Sequence, residues 1–209
     1  MRPLTIEGND AVFELAPQII QDERGVLTKT YDQNELLSGQ VSFQLVEEQQ
    51  WFFAEIGTLR GLHFQLEPYA QAKLIRALRG SVLNVAVDIR KESATYGSHV
   101  VAATSAKDGR QLLIPRGFAH GLCTLEPDTE ILFKADAPSV NDHVRGILWN
   151  DPDLGIEWPV DDDKVIVSER DRQLPCLKDA DTKFGSDHLP PWMACDDYPT
   201  FAYLLAQKK

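Results

Sequence analysis

The stretch Leu74-Ile75-Arg76-Ala77-Leu78-Arg79, then Gly80, then Ser81-Val82-Leu83-Asn84-Val85-Ala86-Val87-Asp88-Ile89 decides the fold class. Val82, Val85 and Val87 are β-branched, turn-prone residues bound the run, and Gly80 alone breaks it. That pattern reads as two strands. Residues 98–104, 111–114, 121–125 and 129–135 read the same way. Lys107-Asp108-Gly109, Pro115-Arg116-Gly117 and Glu126-Pro127-Asp128 supply the turns between them. Short strands about 8–12 residues apart point to an all-β sandwich or barrel. Residues 32–37 read as a brief helix with Asp32 as its N-cap.

The chain has 209 residues, 43% of them hydrophobic and 25% charged. At ~150 residues per domain this is one large domain, or one domain with a tail. Lys and Arg number 21 against 32 Asp and Glu, a net charge of −11. Such a balance argues against non-specific nucleic-acid binding, which rests on neutralising phosphates. It leaves room for a small anion in a locally basic pocket. No apolar run reaches the ~20 residues of a membrane helix, and residues 1–7 lack the apolar core of a signal peptide. Neither nucleic acid nor membrane is expected as a partner. Cys123, Cys176 and Cys195 form no CxxC pair and no even framework, as suits a reducing cytoplasm. Residues 178–191 are polar, and Trp192, Tyr198, Phe201 and Tyr203 then restore hydrophobicity. The expected division is a barrel over 1–177 and a C-terminal extension over 178–209, packed on the barrel or on a partner subunit.

Two segments carry the chemistry. One is Leu59-Arg60-Gly61-Leu62-His63-Phe64 with Gln71-Ala72-Lys73-Leu74; the other is Gly109 followed by Pro115-Arg116-Gly117-Phe118-Ala119-His120-Gly121. The spacing G-x5-P-x-G-x2-H resembles the second motif of the cupin β-barrels. The resemblance implies a double-stranded β-helix, or jelly-roll, with its pocket inside. Lys73 stands where metal-binding cupins have a glutamate, and His63-Phe64-Gln65 is not an HxH pair. A protonated amine has no lone pair for a metal, so a divalent ion is disfavoured.

These strings, with Val87-Asp88-Ile89-Arg90, Trp149-Asn150-Asp151-Pro152, Ile156-Glu157-Trp158-Pro159 and Ser168-Glu169-Arg170-Asp171, resemble the dTDP-4-dehydrorhamnose 3,5-epimerases over roughly residues 22–177. That family implies no metal or organic cofactor, a homodimer, and a 4-keto-6-deoxy nucleotide-diphosphate sugar as substrate. The reaction removes a proton beside a ketone and reprotonates the enolate on the other face. It needs a base, a donor for the enolate oxygen and an acid opposite the base. By resemblance His63 is the base and Asp171 its partner. Lys73 and His120 face the oxyanion, and Arg60 and Arg24 hold the diphosphate. Lys29, Gln50, Phe133 and Ser139 complete the substrate site. Asp88 and Arg90 read equally as site residues or as a structural ion pair at a strand end.

The chain also departs from the family. Where the family has Tyr-Lys-x-x-x-x-Tyr, Phe133 and Ser139 replace the tyrosines. A phenyl ring has no proton to give, and serine can donate but is short and a poor acid; His143 or water is a further source, and His143 reads more simply as a loop residue. Lys29 reverses the sign of the glutamate in the family's R-G-F-F-x-E. Its Q-x-N-x-S-x-S string becomes Glu48-Gln49-Gln50-Trp51-Phe52-Phe53-Ala54, whose aromatics serve either stacking or sheet and dimer packing. The leading expectation is an epimerase, acting at two carbons or one. The alternatives are a binding-only homologue, favoured by the lost tyrosines, and a cupin 3,4-ketoisomerase.

Overall fold

The computed structural model describes residues 2–6, 9–38 and 43–183. Thirteen strands lie among them. In order these are β1 (Arg2–Ile6), β2 (Asn9–Leu15), β3 (Gln18–Asp22), β4 (Gly25–Lys29), β5 (Glu47–Phe53), β6 (Leu59–Gln65), β7 (Lys73–Arg79), β8 (Ser81–Asp88), β9 (His99–Ser105), β10 (Gln111–Ile114), β11 (Phe118–Thr124), β12 (Thr129–Ala135) and β13 (Val144–Gly146). Helix α1 (Gln33–Ser38) follows β4, and the short α2 (Glu169–Arg172) lies near the end of the described chain. Asp32 caps α1 as expected, its Oδ1 accepting the Asn34 N–H at 3.0 Å and the Glu35 N–H at 3.3 Å. The extension expected past 178 lies, from residue 184 on, outside the described residues. No helix among the described residues is long and apolar enough to cross a membrane.

The strands form a six-stranded sheet in the order β1-β2-β10-β7-β12-β5 and a five-stranded sheet in the order β13-β6-β11-β8-β9. All the ladders are antiparallel. Gly80, at φ +68°, turns β7 into β8, so consecutive strands pass from one sheet to the other. Repeated crossing of this kind closes two sheets into a jelly roll. Ile75, Leu112, Ile114 and Ile131 from one sheet meet Val82, Ala86, Phe118 and Leu122 from the other. The second face of the five-stranded sheet is covered as well: Leu62, Val85, Val87 and Ala119 pack with Ile147, Leu154, Leu177 and Ala180 from the C-terminal segment. Burial on both faces explains why β8 and β11 read as nearly continuous apolar runs.

Asp88 and Arg90 are a structural ion pair at the end of β8, 2.7 Å apart. The Asp88 carboxylate is fully buried and also accepts from the Ser93 and Thr95 hydroxyls, both at 2.6 Å. Asp88→Ala would strand those donors. It is expected to lower stability by about 3 kcal/mol, read as a fall in the urea midpoint at unchanged slope. A midpoint equal to wild type would contradict this role.

Candidate active site

Between the sheets lies a cavity of about 210 Å³. The five-stranded wall contributes Arg60, His63 and His120; the facing wall contributes Gln49, Trp51, Lys73 and Phe133. Gln71, Ser139 and, from α2, Arg170 complete the lining used below.

Arg60 and His63 are three residues apart in one strand, and simple alternation would send them to opposite faces. The β6–β11 ladder pairs Arg60 with Leu122 but His63 with His120, so β6 carries one extra residue between these pairs. This bulge returns both side chains to the cavity. Gly61 sits in it at φ +117°, where a Cβ would lie 2.6 Å from the His120 carbonyl oxygen. Only glycine fits there.

Asp171 fastens the bulge. Its carboxylate accepts the Gly61 backbone N–H at 3.1 Å and lies 2.8 Å from His63 Nε2. Ser168 caps α2 by accepting the Asp171 N–H, which aims the carboxylate at β6. Burial pushes the Asp171 carboxyl up, but hydrogen bonding and charge from His63, the Gly61 N–H and the nearby Arg60 outweigh it and hold the group below its ordinary value. An ionised carboxylate only accepts, so His63 Nε2 carries the hydrogen. Nδ1 is left as the basic nitrogen.

Lys73 reaches from the facing sheet and donates from Nζ to the His63 carbonyl at 2.7 Å. It is buried, and among the described residues no carboxylate pairs with it. Burial, then repulsion by Arg60, pulls its pKa down to about 7. His120 lies in the bulge's partner strand, its Nε2 3.2 Å from Asn84 Oδ1. The Asn84 amide group is spent on the Ala102 carbonyl and Thr104 Oγ1, so His120 Nε2 must donate. Burial, then the charges of Lys73 and His63, keep this ring neutral, well below the usual histidine range. Its other nitrogen therefore offers a lone pair, which leaves Lys73 as the better donor to an oxyanion.

The described chain does not bring every expected residue to this cavity. Arg24 lies in the β3–β4 turn, paired with Asp22, its side chain 83% exposed. Lys29 is held by Asp32 at 3.1 Å and Glu35 at 2.7 Å beside α1. Gln50 points outward and bonds Glu130. The phase of β5 is the reason: Glu47, Gln49, Trp51 and Phe53 are the more buried set, and the even-numbered residues face solvent. Gln49 therefore occupies the place expected for Gln50. The sequence hid this phase, because Glu47 and Glu48 are both charged and Trp51, Phe52 and Phe53 are all aromatic, so neither face stands out. Gln71, Arg170 and Asn84 were also missed; Gln71 and Arg170 sit beside Lys73 and Asp171 in the strings already singled out. Phe133 and Ser139 do line the cavity. His143 packs edge-on against Tyr69 at 4.7 Å and is not among the lining residues.

A cupin-type barrel that holds a carboxylate-fixed imidazole and a buried amine in one cavity is built for proton transfer, the work of an isomerase. The sequence profile of the dTDP-4-dehydrorhamnose 3,5-epimerases matches residues 6–179, and the chain belongs to that family. It is 42% identical over 170 residues to the dTDP-4-dehydrorhamnose 3,5-epimerase of Sinorhizobium fredii, covering 81% of this chain and 87% of that one. The crystal structure of the Bacillus anthracis str. Ames enzyme with TDP and PPi bound superposes with a TM-score of 0.76 at 43% identity, covering 79% of this chain and 93% of that one. The Legionella pneumophila dTDP-6-deoxy-D-glucose-3,5-epimerase in complex with dTDP-4-keto-L-rhamnose gives 0.78 at 31% identity, with 85% and 92% covered.

The buried amine sets a pH-dependent signature. Below about 7 the native state keeps Lys73 charged at full desolvation cost; between there and its ordinary 10.5 the unfolded chain alone holds the proton. The cost of this lysine therefore shrinks as pH rises through that window. Lys73→Met is expected to raise the urea midpoint at pH 6 and to lose most of that advantage by pH 10. An equal gain at both values would contradict a buried, depressed amine.

Proposed function

We propose that this chain epimerises a nucleotide-linked 4-keto-6-deoxy sugar, with the diphosphate on Arg60 and the sugar between the two sheets. The observation that carries the reading is the His63–Asp171 pair at 2.8 Å, in one cavity with the Lys73 amine. His63 Nδ1 takes the proton from the carbon beside the ketone, and Asp171 steadies the imidazolium. Lys73 donates to the enolate oxygen as charge develops. On the far face Phe133 has no proton to offer. The Ser139 hydroxyl is directed to Glu47 Oε1 at 2.8 Å, so water brings the second proton. Action at one carbon is the narrower form of this reading. The same two residues favour a second one, a homologue that binds the nucleotide sugar without turning it over.

The assembly we infer is a homodimer. Hairpin β3–β4 exposes Ile19, Ile20, Val26 and Leu27 at 55–64%. A lone two-stranded hairpin is marginal in water, and an apolar patch of this kind marks a surface that a partner covers. A second copy there would carry Arg24 and Lys29 toward its partner's cavity. Free Cys123 and Cys176 suit the cytoplasm.

Incubation with the dTDP-linked 4-keto-6-deoxy sugar in deuterated water, followed by NMR, tests the reading. Deuterium is expected at carbon 3, with or without carbon 5. His63→Ala is expected to slow exchange by at least about 100-fold while the protein stays folded. No exchange with any 4-keto-6-deoxy nucleotide sugar would favour the binding-only homologue. A ketone moved to carbon 3 would identify a ketoisomerase. Exchange retained in His63→Ala would refute His63 as the base.

A further inference from the structure

Arg60 and Arg170 line the same cavity, and neither guanidinium makes a hydrogen bond or ion pair with a described residue. An arginine that lines a cavity is usually fixed by a carboxylate, which orients it but also neutralises it and occupies its donors. Arg60 is fixed differently. Its guanidinium carbon lies 3.9 Å from the centre of the Trp51 ring. That contact uses the face of the cation and leaves its five N–H donors in the plane free.

Trp51 is itself held in place. Its ring stacks on Phe133 at 5.0 Å and 13° between planes, and its Nε1–H donates to Gln49 Oε1 at 2.9 Å. Gln49 in turn donates to Ser139 Oγ at 3.3 Å, and the Ser139 N–H and hydroxyl are both tied to Glu47. Phe133 and Ser139 stand where the family has its two tyrosines, and Trp51 and Gln49 rest on them. They therefore form one support leading from the β12–β13 connection to the guanidinium.

We propose that Trp51 is a positioning residue that presents Arg60, with all its donors open, to the diphosphate of the substrate. The inference rests on the cavity being a diphosphate site, as in the function proposed above. Because the indole touches the cation and not the reacting carbons, its loss weakens anion binding and spares the chemical step.

The probe is inorganic pyrophosphate, titrated calorimetrically into the full chain, with turnover measured in parallel. Trp51→Leu is expected to raise the pyrophosphate Kd by roughly 5- to 30-fold and to raise KM with kcat within about twofold. Trp51→Phe keeps an aromatic face and is expected to bind within about threefold of wild type. Trp51→Met repeats the loss in a side chain of different shape, should the leucine variant not fold. The inference is overturned by wild-type affinity in the leucine or methionine variant, by a folded phenylalanine variant as weak as these, or by a fall in kcat at unchanged KM. Wild-type protein that ignores pyrophosphate also overturns it, while deuterium exchange still tests the epimerase reading separately. Absent exchange with pyrophosphate binding intact overturns that reading and leaves the role of Trp51 standing.

Discussion

The Asp171 carboxylate on the β6 bulge is the interaction on which the cavity depends. One oxygen takes the backbone N–H of Gly61 and the other takes His63 Nε2, so one buried charge fixes both the backbone irregularity and the imidazole. Without the extra residue in β6, Arg60 and His63 would point to opposite faces of a pleated strand. Without the carboxylate, the Gly61 N–H would be buried unpaired, at a cost of about 1–3 kcal/mol, and the ring would be free to change tautomer. A structural device of the sheet thus sets the chemistry of the site.

The two walls divide the work. The five-stranded sheet carries His63 and Arg60; the six-stranded sheet sends Lys73 across to the His63 carbonyl. Desolvation brings the Lys73 amine down to about 7, which suits its proposed role as a donor to an oxyanion. The net charge of −11 does not oppose an anionic substrate. The cavity lining gathers Arg60, Lys73 and Arg170, and carboxylates such as Asp161 lie on exposed loops.

The strands were legible because their signals are local. Apolar runs ended by turn residues put β10 at 111–114 and β12 at 129–135, and Gly80 marked the break between β7 and β8. What the sequence hid is non-local. Nothing near His63 announces that Asp171, more than a hundred residues away, meets it through a helix of four residues. The bulge cannot be seen without its partner strand, so the shared face of Arg60 and His63 rested on resemblance. Gln50 was misplaced by one residue because a period of two makes facing all-or-nothing. Arg24 and Lys29 sit on the β3–β4 hairpin, away from the cavity, and would reach one only in the proposed dimer.

The claim that Asp171 fixes His63 as the Nε2–H tautomer is most directly tested by long-range ¹H–¹⁵N correlation of the histidine side chains near neutral pH. The account predicts a protonated Nε2 and an unprotonated Nδ1 for His63 in the wild-type protein, and loss of that single tautomer in Asp171→Ala. A wild-type His63 protonated at Nδ1 with Nε2 bare would contradict it.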